Sequence, residues 1–394
     1  MIPKEELLEL RTEWQLDANV IEKDYVLGWL LAAIANEEEL ANTWAFKGGT
    51  CLRKCYFETY RLSEDLDFTV TQGGPETPQA LTPIFARVSD WLEANVGIQL
   101  LVDDTSFTRR SNKRGNPTTQ GRISYRGPNP PPTLPKVKLD ITSDETLVET
   151  TELRAISHPY SDAPLPGPGV PCYSLVEVCG EKIRALEERC RPRDLYDVVH
   201  MSRHPDLLEE ADSVTAVLTA KCAFSNISVP DLATIQDSPF RDEIEIEWEN
   251  MLAHQLPDPL VPFDEFWTAL DGVFVWLKGG SPTPILSRAN LPQHELDSTW
   301  VAPRAMTSWK TGAPLELVRY AGANRLKVEI DYQAKVGRHG PRVVEPYSLR
   351  RTKAGDILLF VINDRAELRA YRTDRIVAVR PTNQTFIPRY SVEF

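Results

Sequence analysis

Two aspartates at alternating positions are the residues of this chain best suited to chemistry. Asp65 and Asp67 lie in the segment SEDLDFTV (63–70), where Leu66 and Phe68 occupy the other phase. Side chains two apart on a strand share a face, so we expect both carboxylates on one face and both apolar side chains in the core. Two neighbouring negative charges destabilise a fold unless a cation lies between them. Mg²⁺ prefers such carboxylate oxygens and keeps coordination positions free for phosphate.

A glycine turn precedes this segment. Gly48, Gly49 and Thr50 open a helix-like stretch, and the backbone N–H groups of such a turn can hold a phosphate chain. Ser63 lies two residues before Asp65 on the same predicted face, and its hydroxyl can reach a phosphate oxygen. We therefore expect a phosphate chain beside the carboxylates.

A third carboxylate completes the predicted site. Asp140 lies in KVKLDIT (136–142) and alternates with the apolar residues of that predicted strand. Alternating acids alone most often mark a solvated strand face, but the glycine turn and the third acid together favour a metal site. Asp65, Asp67 and Asp140 are then expected to hold two Mg²⁺ ions, an arrangement that stabilises both oxygens of an in-line phosphoryl displacement.

A lysine lies within an apolar helix stripe further along the chain. The neighbours of Lys182 three and four residues away are Val178, Cys179, Ala185 and Leu186. Such a lysine either extends its ammonium group to the surface or pairs with an anion in a cleft, and a triphosphate is the anion expected here. In RPRDLYD (191–197), Arg193 and Asp197 are four residues apart, which is typical of a helix salt bridge; alternatively, Asp197 partners Lys182 or the nucleotide.

Composition limits the class of protein. A chain of 394 residues is long enough for two or three domains. The longest apolar run (26–35) is too short to span a bilayer, and the acidic N-terminus lacks the apolar segment of a secretory signal, so we expect a cytoplasmic protein without membrane contact. Six cysteines without Cys-x-x-Cys pairs predict reduced structural thiols and argue against a zinc site.

Charge is unevenly distributed along the chain. The net charge is −13, but residues 296–394 contain 17 Lys/Arg and 10 Asp/Glu, which is +7 and leaves −20 for the rest. A second basic segment, 105–139, has eight Lys/Arg and no acid. Basic segments in an acidic protein can contact a polyanion locally, although solvated surface arginines account equally well for either segment alone.

Periodicity predicts mixed α and β structure in the first half of the chain. Helices are expected over about 4–42, with Asp17 as an N-cap. The stretch 46–68 favours the order strand, turn, helix, strand, and 136–142 alternates as a strand. Short strands are also expected within 91–103 and at 122–125.

The second half is predicted to change from helices to strands. Ser174 and Glu177 match a capping box, and helices are expected from there to 263–279. The Gly/Pro/Ser-rich stretch 279–293 is typical of a linker. Strand-like segments follow it: LKVEIDY, RVVEPYSLRRT, DILLFVI and LRAYRTDRIVAV.

The first 278 residues resemble a known family. EKDYVL (22–27), FKGGTCLRKCYFETYRLSEDLDF (46–68), VKLDIT (137–142) and EKIRALEERCRPRDLYD (181–197) are similar to the AbiEii/AbiGii nucleotidyltransferases, the toxins of type IV toxin–antitoxin and phage-defence systems, and to the related MenT toxins. The resemblance implies an α+β fold, with a DNA polymerase β-like nucleotidyltransferase core at about 40–150 and a helical half at about 172–278.

The same resemblance implies roles for individual residues. Gly48, Gly49 and Ser63 are expected to hold the triphosphate, Asp65 and Asp67 the Mg²⁺ ions, Lys182 the nucleotide, and Asp197 a further acidic role. Asp140 falls where the fold has its third carboxylate. Family members transfer a nucleotide from an NTP, and the MenT-like ones modify the 3′ end of tRNA. The antitoxin is a separate chain that need not bind the toxin directly.

The C-terminal hundred residues carry a second resemblance. LVRYAGANRLKVEIDY (317–332), RVVEPYSLRRTKAGDILLF (342–360), LRAYRTDRI (368–376) and FIPRY (386–390) are similar to a WYL domain, a small Sm-like β fold that senses ligands, often nucleic acids or nucleotides. It would span 296–394 after a linker at 279–295. The residues matching its ligand face are Tyr347, Arg350, Arg369, Arg372 and Arg375. The last three cannot share one face of a straight strand, so a bend or turn is expected among them.

The first hypothesis is therefore a Mg²⁺-dependent nucleotidyltransferase toxin that transfers NMP to an RNA 3′ end, with tRNA as the expected acceptor and an attached WYL sensor. One alternative is a ligand-responsive nucleic-acid-binding regulator in which the nucleotidyltransferase core is only a scaffold. Another is transfer of NMP to a protein hydroxyl.

Overall fold

The computed structural model describes residues 1–394 except 58–60, 72, 130–133, 164, 168, 281–285, 303–313, 336 and 338. Its helices are Lys4–Trp14 (α1), Ala18–Asn36 (α2), Glu38–Ala41 (α3), Gly48–Cys51 (α4), Pro78–Val96 (α5), Leu175–Arg189 (α6), Pro192–Ser202 (α7), Ala211–Ser225 (α8), Leu232–Gln236 (α9), Arg241–Leu252 (α10), Phe263–Leu277 (α11) and Leu315–Ala323 (α12). Its strands are Trp44–Lys47 (β1), Asp65–Val70 (β2), Gln99–Leu100 (β3), Ser106–Ser111 (β4), Pro117–Arg126 (β5), Lys136–Thr142 (β6), Glu152–Arg154 (β7), Val170–Cys172 (β8), Leu326–Tyr332 (β9), Gly340–Arg351 (β10), Ile357–Ile362 (β11), Leu368–Arg372 (β12) and Ile376–Thr385 (β13).

The first eight strands form one mixed sheet in the order β3-β5-β6-β2-β1-β8-β7, with β4 added along β5. Strands β2 and β6 are parallel, whereas β1 and β5 run antiparallel to their neighbours β2 and β6. One sheet face packs on helices α2 and α5 in an apolar core that includes Leu66, Phe68 and Leu139. The alternate side chains of β2 and β6 therefore lie on the other face of the sheet.

The predicted elements of this half are largely confirmed. Asp17 caps α2 by accepting from the Asn19 N–H at 2.8 Å, and the predicted strand at 136–142 is β6. The prediction of a strand at 91–103 is wrong for most of its length, because Trp91 to Val96 form the last turns of α5. The buried residues of α5 recur at helical spacing as far as Val96, and this periodicity marks the segment as the end of a helix.

Ser174 is the N-cap of α6, but the predicted capping box does not form. The hydroxyl of Ser174 accepts from the Glu177 N–H at 3.0 Å. The Glu177 carboxylate instead accepts from the N–H groups of Val148 and Glu149 and pairs with Lys221 at 2.7 Å. Glu177 therefore ties the helical half to the loop after β6.

The C-terminal strands form a second sheet, β12-β11-β10-β9-β13, in which all neighbours are antiparallel. The α+β fold predicted for the chain is thus confirmed. Of the predicted linker at 279–295, residues 281–285 lie outside the described part of the chain. Among the described helices, none has both the length and the apolar character of a membrane span.

Helix α12 joins the second sheet to the helical half. The side-chain oxygen of Asn324 accepts from the Tyr196 hydroxyl and from Nε2 of His200, both at 3.1 Å. The Tyr320 hydroxyl donates to the carbonyl of Pro259 at 3.2 Å. The apolar core of helices α6 to α11 is also continuous with that of the second sheet. The end of α12 therefore contacts helix α7 directly, and α7 carries Asp197.

Candidate active site

Three aspartates meet on the open face of the first sheet. Asp65 and Asp67 are paired in register with Lys138 and Asp140 on the parallel strand β6. Burial along β2 alternates, with both aspartates partly exposed and Leu66 and Phe68 fully buried. Asp67 and Asp140 are thus direct cross-strand neighbours, with Asp65 two residues before Asp67. The predicted phase of all three carboxylates is confirmed.

Burial and mutual repulsion make the ionised form of these aspartates unfavourable when no cation is bound. Burial, and then the neighbouring Asp140, raise the pKa of Asp67 to about 6. Burial also raises the pKa of Asp65, while Lys138 acts in the opposite direction. Desolvation and like charges both disfavour the ionised carboxylate. The sheet therefore holds carboxylates that are more stable in the presence of additional positive charge.

Two polar side chains that the sequence interpretation did not single out contact Asp140. The ammonium of Lys138 pairs with Oδ2 of Asp140, and the amide of Gln120 on β5 donates to its Oδ1 at 3.2 Å. Both lie on the same sheet face as the aspartates, because Gln120 is the register partner of Asp140 and Lys138 is the register partner of Asp65. Their alternation within β5 and β6 was visible in the sequence, but the pairing of these strands was not.

The glycine turn lies directly against the aspartates. Gly48 has a φ of +80° and faces the carboxylate of Asp67 so closely that a Cβ there would collide with it. A Cβ at Gly49 would lie 2.5 Å from the guanidinium of Arg61 and 3.3 Å from Oγ of Ser63. Gly48 needs glycine because of its positive φ and its contact with Asp67, and a side chain at Gly49 would require the Arg61 guanidinium to shift.

Thr50 has a structural contact in this turn. Its side chain is 1% exposed, and its hydroxyl donates to the backbone carbonyl of Asp65. This bond joins α4 to the first residue of β2. The predicted contribution of Thr50 to nucleotide binding is therefore limited to its backbone and to fixing the turn.

Lys182 and Asp197 meet in a buried cluster of charges beside the sheet. Nζ of Lys182 lies 2.7 Å from Oδ2 of Asp197 and 3.0 Å from Oδ1 of Asp194. Arg61 donates to both oxygens of Asp197, at 2.8 and 2.7 Å. Burial raises the pKa of Asp197, but Arg61 and then Lys182 outweigh it and lower the pKa far below its usual value. The predicted partnership of Asp197 with Lys182 is confirmed, and Arg61 joins it.

Arg193 lies near Asp65, whereas Asp197 pairs with Arg61 and Lys182. Burial, and then Arg61, lower its pKa, whereas Glu64 and Asp65 act in the opposite direction. Its Nε has no hydrogen-bond partner within the described part of the chain. A guanidinium beside Asp65 with an unused donor is suited to a phosphate oxygen. The i,i+4 spacing of Arg193 and Asp197 predicted either a helix salt bridge or a partnership of Asp197 with Lys182 or the nucleotide, and the structure contains the pair of Asp197 and Lys182.

The chemistry of the donor set fits Mg²⁺, but the three carboxylates share one sheet face without all lying within 4.8 Å of one another. The group formed by Asp65, Asp67 and Asp140 offers carboxylate oxygens, which are the hard ligands that Mg²⁺ takes together with substrate phosphates. The backbone of Gly48 approaches the Asp67 carboxylate directly. A divalent ion would also offset the charge repulsion that raises the pKa of Asp67.

Comparison with known families identifies this half of the chain. The family described as nucleotidyl transferase AbiEii toxin of type IV toxin–antitoxin systems matches residues 29–271, which is more than half of the protein. The chain belongs to the AbiEii nucleotidyltransferase family. It is therefore a nucleotidyltransferase of a toxin family, and the family implies an NTP substrate and an antitoxin partner. The WYL domain family matches residues 314–381.

A solved structure is also similar to this AbiEii member. The nucleotidyltransferase toxin MenT4 of Mycobacterium tuberculosis has 20% identity, a TM-score of 0.42 and coverage of 70% of this chain and 87% of MenT4. At that score the likeness carries no weight for the site. No curated protein matches the chain.

In the WYL domain the predicted ligand residues are divided between two places. Tyr347 is fully buried, and its hydroxyl donates to Glu345 and accepts from the Arg389 N–H. Arg350 is 5% exposed and pairs with Glu393 at 2.7 Å. Both side chains therefore contact the last residues of the chain, and Arg350 is matched by a carboxylate of the protein itself.

The other three arginines lie at the far edge strand. Arg372 pairs with Asp356 and Asp374, and Arg369 pairs with Glu367. Arg369 and Arg372 are three apart on β12, so they lie on opposite sides of that strand. The predicted turn is confirmed at Thr373–Arg375, a 3₁₀ turn. The structure therefore does not bring the five residues into a single cluster.

Proposed function

We propose that the chain transfers a nucleoside monophosphate from an NTP to the 3′ hydroxyl of an RNA. The observation that carries the proposal is the meeting of Asp65, Asp67 and Asp140 on one open sheet face beside the Gly48–Gly49 turn. The attacking 3′ oxygen forms a bond to the α-phosphorus while the bond from that phosphorus to the β-phosphate bridging oxygen breaks. Pyrophosphate leaves with the electron pair.

The residues of the chain have distinct tasks in this transfer. Asp65, Asp67 and Asp140 would hold Mg²⁺, which when bound offsets the charge on the phosphates and favours ionisation of the attacking hydroxyl. The backbone at Gly48 and Gly49 and the hydroxyl of Ser63 face the space that the triphosphate needs. The half-buried guanidinium of Arg193 lies near Asp65 and is the cation that we propose to contact a phosphate oxygen.

A basic surface continues outward from the aspartates and supports a polyanionic acceptor. Lys138 is the register partner of Arg122, and Lys136, Arg126 and Arg110 share the same sheet face through strands β5 and β4. Four of these five are exposed. Within the described residues, Arg110, Arg122, Arg126 and Lys136 have no ion pair. Cations without partners next to a phosphoryl-transfer site are suited to the phosphates of a nucleic acid.

The same surface weighs against a protein acceptor. A protein hydroxyl needs no row of cations leading to the aspartates, whereas an RNA strand has one phosphate per nucleotide to place along it. We therefore propose RNA as the acceptor, with tRNA as the first candidate, and a role in toxin–antitoxin or phage-defence systems. The WYL domain is proposed to sense an anionic ligand such as a nucleotide or nucleic acid.

The test uses the whole chain with total bacterial RNA, Mg²⁺ and each α-labelled NTP in turn. Half of the RNA is first oxidised with periodate, which destroys the 3′ diol and leaves the rest of the strand unchanged. We expect label in a tRNA-sized band with untreated RNA and none with oxidised RNA. Equal labelling of both would exclude 3′ transfer, label in protein would favour a protein hydroxyl, and RNA binding without any label would favour the regulator.

The basic surface has its own test. Arg122→Gln should weaken labelling of RNA by raising KM at least several-fold, with little change in kcat at saturating RNA. Arg365→Gln, on an exposed turn of the second sheet, is the matched control and should change neither constant. An equal effect of both variants would show that general charge, and not this surface, attracts the acceptor.

A further inference from the structure

Three of the six cysteines meet in the interior behind the glycine turn. Cys51 ends α4, Cys55 lies in the π-helical turn Leu52–Tyr56, and Cys172 ends strand β8. Their three sulfur atoms all lie within 4.8 Å of one another. None of the three is in a disulfide. The sequence spacing of 4 and 117 residues resembles no zinc motif, so this cluster arises only from the pairing of β8 with β1.

We propose that Cys51, Cys55 and Cys172 bind one thiophilic metal ion of the class of Zn²⁺ or Cu⁺. Thiolate ligands select such soft ions over Mg²⁺. Around a tetrahedral Zn²⁺ with Zn–S bonds of about 2.3 Å, sulfurs lie roughly 3.8 Å apart. The observed sulfur group therefore needs only small side-chain adjustments to close on an ion.

Binding of the ion is an exchange of protons for a metal. The three thiols bind one ion as thiolates, and the protons that they release pass to solvent. The sulfurs keep their oxidation state, so no oxidant or reductant is needed.

The surroundings enclose the three sulfurs. Exposure is 0% for Cys51 and Cys172 and 1% for Cys55, so water does not reach the sulfurs. The guanidinium of Arg154 donates to the Cys55 carbonyl and lies 4.4 Å from the centre of the Tyr56 ring, which places a positive charge beside an anionic metal–thiolate group. The Tyr56 hydroxyl lies 3.7 Å from the Cys172 sulfur, at the border of the cluster.

An ion in this site would join the turn to the strand behind it. Cys51 follows Thr50, whose hydroxyl bonds to the Asp65 carbonyl. Cys172 precedes Tyr173, whose hydroxyl bonds to Thr69 of β2 at 2.6 Å. The three sulfurs therefore link α4, the π turn and β8 around the base of the active-site strand β2. The inference is independent of the acceptor proposed above.

The test measures metal content and spectrum on the reduced full-length protein. With excess Mg²⁺ present to fill the aspartates, the protein is titrated with Co²⁺ as the optical probe for Zn²⁺, and separately with Cu⁺. We expect one ion per chain for at least one of the two, and for Co²⁺ a sulfur-to-metal charge-transfer band in the near ultraviolet. The arm that binds more tightly identifies the ion.

Two variants locate the site. Cys172→Ala should weaken binding by at least about 100-fold, since even loss of an outer hydrogen-bond partner costs 10- to 100-fold. Cys222→Ala removes an equally buried thiol outside the cluster and should leave binding within about twofold. Absence of any stoichiometric ion in the wild-type protein, or an unchanged Co²⁺ band in Cys172→Ala, would overturn the proposal. The wild-type titration decides the question even if a variant fails to fold.

Discussion

Two clusters of aspartates among the described residues have opposite electrostatics. Asp65 and Asp67, beside Asp140, have raised pKa values on a partly open sheet face. Asp194 and Asp197 are fully buried, and their pKa values are lowered by Lys182, Arg61 and Arg189 despite burial. In the first cluster the carboxylates lack sufficient positive charge, and in the second they have more than one cation each.

The difference separates a binding site from a structural element. A buried carboxylate that is fully paired stabilises the local fold and has little capacity for a ligand. Carboxylates that repel each other beside an open surface reduce stability and gain most from an added cation. Asp197 therefore holds α6, α7 and the Arg61 segment together, whereas Asp65 and Asp67 are the carboxylates that we propose to bind Mg²⁺.

The arginines of the WYL domain resemble the second cluster. Arg350 is paired with Glu393, and Arg372 with Asp356 and Asp374. An anionic ligand at Arg350 must first displace the Glu393 carboxylate. These two arginines thus differ from Asp65 and Asp67, because charged groups of the same chain neutralise them.

The largest effect on stability is expected at Asp197. Asp197→Ala leaves Arg61 and Lys182 buried without their carboxylate, and breaking such a pair costs about 3 to 5 kcal/mol. Chemical denaturation at neutral pH measures this loss. Asp140→Ala, at the half-open end of the first cluster, is the matched control and should change stability by less than about 1 kcal/mol. Equal losses for the two variants would remove the distinction between the clusters.

A smaller, pH-dependent effect is expected where α7 meets the WYL domain. Burial, and then Arg203, lower the pKa of His200 to about 3, so the folded protein keeps this histidine neutral. The unfolded chain binds a proton there below about pH 6.5. The contribution of His200 to the free energy of unfolding is therefore complete above that pH. It decreases as the pH falls, by roughly 2 kcal/mol between pH 6.5 and 5.

The control for this prediction is His200→Gln, which keeps a donor for the side-chain oxygen of Asn324 but does not titrate. Thermal unfolding of both proteins at several pH values isolates the histidine, because all other groups are shared. The stability difference between the two proteins should narrow as the pH falls from 6.5 to 5. A constant difference over this range would show that His200 binds a proton as readily in the folded protein as in the unfolded chain, which would contradict its lowered pKa.

The smallest effect is expected at the tail of the WYL domain. Glu393→Gln removes the carboxylate beside Arg350 and should tighten binding of a short oligonucleotide by about fivefold, the equivalent of a partly exposed ion pair of about 1 kcal/mol. Glu367→Gln, beside the exposed Arg369, is the control and should change binding less. Weaker binding by Glu393→Gln would contradict displacement of the tail by an anion.

Local patterns were sufficient for much of the active site. The phase of Asp65, Asp67 and Asp140 follows from the two-residue period of strands, and the glycine turn from residue type, so both could be predicted before any fold was known. The positions of Arg61 and Lys138 could not, because they depend on which strands pair and on how α7 packs against the sheet. The same limit explains why the cluster of Cys51, Cys55 and Cys172 was not predicted.

The wrong prediction of a strand at the end of helix α5 has a similar origin. Trp91 and Val96 are residue types common in strands, but their spacing relative to Leu81 and Phe85 shows that residues 91–96 continue α5. In the WYL domain the strands followed from alternation, but the partners of the arginines did not. Carboxylates that neutralise Arg350 and Arg372 come from separate loops and from the chain end, and their proximity is a property of the tertiary fold.

The most direct test of the account compares activity and stability in Asp67→Asn. The raised pKa of Asp67 means that its negative charge is disfavoured in the folded state. The resulting loss of folding stability is absent below about pH 4 and complete above about pH 6. At pH 8 without Mg²⁺, Asp67→Asn should therefore be as stable as the wild type or more stable. It should also lose transfer of labelled NMP to RNA by at least about 1,000-fold. Retained transfer, or loss of transfer only through unfolding, would contradict the assignment of this carboxylate to the reaction.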